Sequence, residues 1–171
     1  DNRKIPNILM PSTSGTGAEV TDIAVFSTGD SKDAITDPLM IADYAIADPF
    51  YTYSLPPKVA AASGVDALTH AIESFTSVEA TPLTDNIAAG AIEKIYANIR
   101  EAVWDKTNYA AKDELSLGSL MAGLSFYNAG CAGVHALAYP LGGNFKIPHG
   151  ESNAVLLPYV YDEIIKSCSN K

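Results

Sequence analysis

The residues best able to do chemistry in this 171-residue sequence are its three histidines and a carboxylate placed close to the first of them. Asp66 and His70 stand four positions apart in Asp66-Ala67-Leu68-Thr69-His70. On a helix, positions i and i+4 share a face, so the pair can grip one ion from the same side. His135 and His149 lie on either side of a Pro140-Leu141-Gly142-Gly143 turn. That turn and a Pro148-His149-Gly150 loop can fold the two imidazoles back toward each other. One carboxylate oxygen and three imidazole nitrogens suit Fe(II), Zn(II) or a similar first-row ion and leave room for a substrate oxygen. Spacing alone leaves a second reading open, because a histidine in an alanine-rich helix is commonly a hydrogen-bonded core residue. Glu73 carries the same ambiguity: it can accept a histidine N–H behind the ligands, but an exposed helix glutamate is the commoner fate.

A second feature is Pro11-Ser12-Thr13-Ser14-Gly15-Thr16-Gly17-Ala18-Glu19, a hydroxyl- and glycine-rich loop after an apolar run. Backbone N–H groups and hydroxyls at such a turn can bind phosphate or ribose oxygens. The loop departs from the dinucleotide fingerprint, since no third glycine follows at the right offset and the next segment reads as strand. By itself it reads as a polar connection between strands.

These residues need elements to position them. Residues 5–10 read as a strand, as do Thr21–Ser27 and Tyr44–Ala47, with turn chemistry at Thr28-Gly29-Asp30 and Asp37-Pro38. Residues 1 to about 50 are therefore mostly β. From Ser54, a candidate N-cap followed by Pro56-Pro57, the spacing becomes helical. Ile87, Ala91, Ile95 and Ile99 mark one buried helix face behind Pro82, and Leu117, Leu120, Met121 and Leu124 mark another in Lys112–Asn128. A glycine-rich joint at 128–133 leads to a short helix that Pro140 and Gly142-Gly143 are expected to end. Glu151–Cys168 reads as a last helix, bent or restarted at Pro158. Both ends have the look of cuts, which suggests a piece of a longer protein.

Composition narrows the partners. The sequence is 47% hydrophobic and 18% charged, as in ordinary globular proteins. A net charge of -9 argues against nucleic acid and anionic membrane as partners. No apolar run reaches the roughly 20 residues of a spanning helix, and the start lacks signal-peptide order. The sequence reads as cytoplasmic. Cys131 and Cys168 form no disulfide framework and no metal-thiolate spacing, and both read as reduced structural residues.

Taken in order, PSTSGTGAEVT, ASGVDALTHAIES, ATPLTDNIA, GVHALAYPLGG and IPHGESNAVLLP resemble successive signatures of the iron-containing alcohol dehydrogenase family, over nearly the whole chain. The resemblance implies an α/β dinucleotide-binding domain followed by an all-helical metal-binding domain, the general plan of dehydroquinate synthase. Here residues 1–53 would be the β-rich tail of the first and residues 54–171 a truncated second. It implies metal ligands at Asp66, His70, His135 and His149, with Fe(II), zinc or another divalent ion. Cofactor contacts fall at Ser12, Thr13, Thr16, Val25 and Lys32, for NAD(P). The implied reaction is hydride transfer between a small alcohol and its aldehyde or ketone, in a homo-oligomer. A second histidine common in the family, four residues after His135, is Tyr139 here. With an unperturbed pKa near 10, tyrosine is a poor general base at neutral pH. Tyrosine there also resembles the hydroxyacid-oxoacid transhydrogenase branch. A fragment that binds metal without turnover of its own is the remaining alternative.

Overall fold

The computed structural model describes residues 5–28 and 31–168, with the backbone alone for 27, 28 and 31–33. Strand β1 (Ile8–Leu9) pairs in parallel with β4 (Tyr44–Ala45), and β2 (Ile23–Thr28) pairs antiparallel with β3 (Ser31–Thr36). The expected strand at 5–10 is thus only two residues long, and β3 was not expected at all. Short 3₁₀ turns at Ala18–Val20, Pro38–Met40 and Pro49–Thr52 break up the remainder, so the first 50 residues are less β-rich than their sequence suggests. Asp37 and Asp48 cap the last two by accepting from Leu39 and Phe50 N–H, the Asx chemistry expected beside proline. Gly29 and Asp30 of the expected turn lie outside the described residues.

Five helices follow: α1 (Pro57–Phe75), α2 (Pro82–Trp104), α3 (Tyr109–Ala129), α4 (Gly133–Phe145) and α5 (His149–Ser167). Ser54 does not cap α1; Pro56 holds that place, with Pro57 in the first turn where its missing N–H costs nothing. Thr81 and Thr84 form a reciprocal capping box at the start of α2.

α4 continues through Pro140 and Gly142-Gly143 instead of ending there, and α5 starts at His149 and continues through Pro158. A proline leaves the carbonyl four residues earlier without its bond. Those residues, Ala136 and Ala154, lie on the exposed side of their helices, as the prolines do.

The core lies among α1, α2 and α3 and is built of small residues: Ala67, Ala71, Ala91, Ala102, Ala111 and Ala122, with Ile95 and Leu115. The stripe through Ala91 and Ile95 is buried as expected. On α3 the expected face is not the deeply buried one. Leu117 and Leu124 are exposed, while Ala111, Leu115, Ala122 and Phe126 point inward. α5 packs on α1, and α4 packs on α5. Among the described residues no helix is long and apolar enough to cross a membrane.

Candidate metal centre

α1 turns a polar stripe inward. Asp66, His70 and Glu73, spaced by four and then three residues, are 3%, 6% and 0% exposed. That face must meet hydrogen-bonding or charged partners, since unpaired buried carboxylates are very costly. α4 brings His135 in its first turn, and α5 brings His149 as its first residue. The approach is close: a Cβ on Gly150 would lie 2.0 Å from the Ala62 carbonyl oxygen, so only glycine lets α5 start against the backbone of α1.

Three of the four expected ligands converge directly. The donor atoms of Asp66, His135 and His149 all lie within 4.8 Å of one another. His135 Nε2 and His149 Nε2 are each 3.5 Å from Asp66 Oδ1. His70 joins from the side, its ring stacked on His135 at 4.3 Å and on Phe126 at 4.3 Å. Its Nδ1 is buried and meets no hydrogen-bond partner of acceptable geometry. Burial, partly opposed by Asp66, drives the His70 pKa down to about 4, so at neutral pH it is an electron-pair donor and not a cation.

Glu73 is the main correction to the sequence reading, because it is fully buried and holds α4 in place. Oε2 pairs with His135 Nδ1 at 2.5 Å and Oε1 accepts the Val134 N–H at 2.6 Å. With Nδ1–H held by Glu73, Nε2 is the nitrogen left facing Asp66, and it can take up a cation once it has given up its own proton. Burial alone would raise Glu73, but His135 and the backbone N–H groups of the α4 entry outweigh it and hold the carboxylate low. Asp66 follows the same pattern, with His135, His70 and His149 overcoming burial. Burial works against charge on His135, yet Asp66, Cys131 and Glu73 push it up to about 12. Two buried carboxylates thus flank His135 from either side, and its imidazolium compensates one of them in the metal-free chain.

Asn153 was missed in the sequence. It is 0% exposed and donates from Nδ2 to Asp66 Oδ1 at 2.7 Å, with His135 Nε2 3.1 Å away. Its signal was present, four residues after His149 and just ahead of an apolar run, but placing His149 in a loop hid the shared helix face. Tyr139 stacks on His149 at 6.0 Å between ring centres, and burial raises its hydroxyl pKa.

The site opens on a cavity of about 1000 Å³, walled by the strand segment on one side and by the metal-site residues and Phe126 on the other. Residues 60–171 match the C-terminal part of the Fe-containing alcohol dehydrogenase family, and residues 1–49 match the iron-containing alcohol dehydrogenases. The chain belongs to the iron-containing alcohol dehydrogenase family. It is 53% identical to long-chain-alcohol dehydrogenase 1 of Geobacillus thermodenitrificans over 171 residues, which is all of this chain and 43% of that protein. It is 40% identical to 1,3-propanediol dehydrogenase of Klebsiella pneumoniae over 157 residues, 91% of this chain and 41% of that one. Its fold superposes on sulfoacetaldehyde reductase from Bifidobacterium kashiwanohense, solved with NAD+, with a TM-score of 0.90 at 35% identity, covering 96% of this chain and 44% of that one. The chain therefore spans less than half the length of these relatives. The expected fold class, a short α/β segment leading into a helical domain, is that of the family.

Of the residues expected on the cofactor side, Thr16 and Val25 line the cavity, whereas Ser12 and Thr13 do not. The Lys32 side chain lies outside the described residues. The loop carrying Thr16 is pinned at Gly17, whose φ of 61° is left-handed and whose Cβ would lie 2.5 Å from the Gly123 Cα. That contact seats the loop on α3 one turn before Phe126. Trp104 and Tyr51 are exposed.

Proposed function

We propose that this chain is the metal-holding part of a metal- and NAD(P)-dependent alcohol dehydrogenase that interconverts a small primary or secondary alcohol and its aldehyde or ketone. Residues 1–53 would close the dinucleotide-binding domain and residues 54–171 form the helical metal-binding domain. The convergence of Asp66, His135 and His149 on one point, with His70 stacked against them, carries this reading.

The residues fit a divalent ion. Asp66 and Glu73 supply buried negative charge, His70 is held neutral, and Glu73 fixes the His135 tautomer. Oxygen and nitrogen donors of this kind suit Fe(II), with zinc and other first-row ions as competitors set by supply. Such an ion, when bound, supplies Lewis acidity at the substrate oxygen. The other tasks belong to the chain. Phe126 covers one face of His70 and keeps water off it. Tyr139, its hydroxyl pKa raised by burial, keeps its proton at neutral pH and acts as a donor toward the cavity. Thr16 and Val25 form the wall against which a nicotinamide would lie. The NAD+ in the sulfoacetaldehyde reductase structure supports a nicotinamide cofactor. Two free cysteines accord with a reducing cytoplasmic setting, and assembly of the full-length enzyme as a homo-oligomer completes the proposal.

The test is metal content and affinity of the purified chain under anaerobic conditions, against His70→Ala and His149→Ala. Near-stoichiometric binding, lost in both variants, supports the four-residue site. A folded wild-type chain that takes up no divalent metal refutes it.

A further inference from the structure

A second donor set overlaps the first. The ligating atoms of His70, Cys131 and His135 lie within 4.8 Å of one another, just as those of Asp66, His135 and His149 do. Nothing in the sequence marks Cys131 for this, since its neighbours carry no second cysteine. The fold creates the juxtaposition. Gly130, at φ 79°, turns the chain out of α3, and Cys131 sits in the short joint before α4, at the mouth of the cavity.

We propose that Cys131 is an additional metal ligand of this chain, forming with His70 and His135 a sulfur–nitrogen triad for thiophilic divalent cations such as cobalt(II), zinc(II) or cadmium(II). The inference rests on the metal-site reading above and adds to it a soft donor that the four expected ligands lack.

The geometry and the chemistry agree. Around a tetrahedral ion with bonds of about 2.0–2.3 Å, donors lie roughly 3.5 Å apart. The triad therefore has to contract by only about 1 Å. Cys131 is exposed, so its side chain can rotate inward without repacking a core. His70 and His135 are stacked and buried, and form the fixed part of the triad. On binding, the thiol gives its proton to solvent and the sulfur is held as thiolate. No oxidant or reductant is involved.

The two sets share His135, so an ion cannot be centred in both. A hard ion is drawn toward Asp66 and His149, and a soft ion toward Cys131, because thiolate selects softer metals while carboxylate suits harder ones. Cys131 also lines the cavity into which the substrate oxygen would come, so a thiolate-bound ion has less room for substrate. Metal identity would then decide how open the site is.

Cobalt(II) titration followed by near-ultraviolet absorption tests this directly, because thiolate-bound cobalt shows an intense sulfur-to-metal charge-transfer band that oxygen and nitrogen ligands do not give. The measurement compares the wild-type chain with Cys131→Ala and with Cys168→Ala, which removes the only other cysteine. The expected result is a band in wild type and Cys168→Ala, and none in Cys131→Ala, which still binds cobalt. Cadmium affinity should fall in Cys131→Ala by at least about tenfold, the scale reached by loss of even a ligand-supporting group, while manganese affinity stays within about threefold. Cobalt bound by wild type without the band overturns the proposal and leaves the four-residue site standing. So does a band that survives in Cys131→Ala. If wild type takes up no cobalt, the metal-site reading fails and the triad with it.

Discussion

Replacing Glu73 probes the link between one buried carboxylate and the ligand it orients. In Glu73→Ala, two buried donors lose their acceptor: His135 Nδ1–H, 2.5 Å from Oε2, and the Val134 N–H, 2.6 Å from Oε1. Each orphaned donor costs about 1–3 kcal/mol. The metal-free variant should therefore unfold about 2–6 kcal/mol more easily, less whatever water entering the space recovers. Metal affinity should fall by about 10–100-fold, since the Nδ1–H tautomer and the ring orientation are no longer fixed. Glu73→Gln separates the two effects. Its amide carbonyl can satisfy one of the donors, so stability recovers in part, but without the charge the loss of metal affinity remains. Urea unfolding in the presence of chelator reads the first quantity, and competition with a chromophoric chelator reads the second. A folded Glu73→Ala chain that binds metal within about threefold of wild type, under 1 kcal/mol, would refute the argument that Glu73 prepares His135.

Asn153→Asp sets a second carboxylate about where an amide now donates to Asp66 at 2.7 Å, so the metal-free chain should lose about 1–3 kcal/mol of stability while divalent affinity rises, both measurable by unfolding with and without metal. Gly150→Ala forces a methyl to within 2.0 Å of the Ala62 carbonyl; it should cost at least about 1–3 kcal/mol and lower metal affinity by moving His149, as thermal unfolding and metal titration would show. His70 gives the metal-free chain a pH dependence. Its pKa is about 4 in the folded state and 6.5 as the reference value, so its contribution, about 3 kcal/mol, is present above pH 6.5 and lost as pH falls toward 4. His135, pushed up to about 12, is protonated throughout that window and adds slope only above pH 6.5. Unfolding measured in chelator from pH 7 to 4 should show the decline, and His70→Gln should flatten it.

How far the site could be read from sequence depended on which side chains announce a direction. The Asp66–His70 pair was legible because both residue types are ligands and their spacing puts them on one helix face. His135 and His149 were legible through the surrounding motifs, but not through spacing, since the turn expected between them is helix in the structure. Glu73 extends the same stripe at i+7 from Asp66, yet a glutamate carries no mark of whether its helix turns it inward. α3 misled for a packing reason. Its helix is apolar on most sides, and the neighbouring backbones came close along its alanines and glycines, leaving Leu117 and Leu124 outside. Pro140 misled because a proline inside an apolar run does not by itself end a helix, and here α4 runs through it.

The stripe on α1 also sets what the gene can tolerate. Asp66, His70 and Glu73 stay aligned only while the residues between them keep their number, because each residue advances an α-helix by about 100°. Inserting or deleting a single residue between 66 and 73 would swing one end of the stripe away from the other by about that angle. No side-chain substitution elsewhere in the helix could restore it. The joints at 76–81 and 105–108 lie outside the helices and have no such register to keep. Changes in length among homologues of this chain should therefore collect in those joints and be absent from 66–73, where substitutions but not indels can be accommodated.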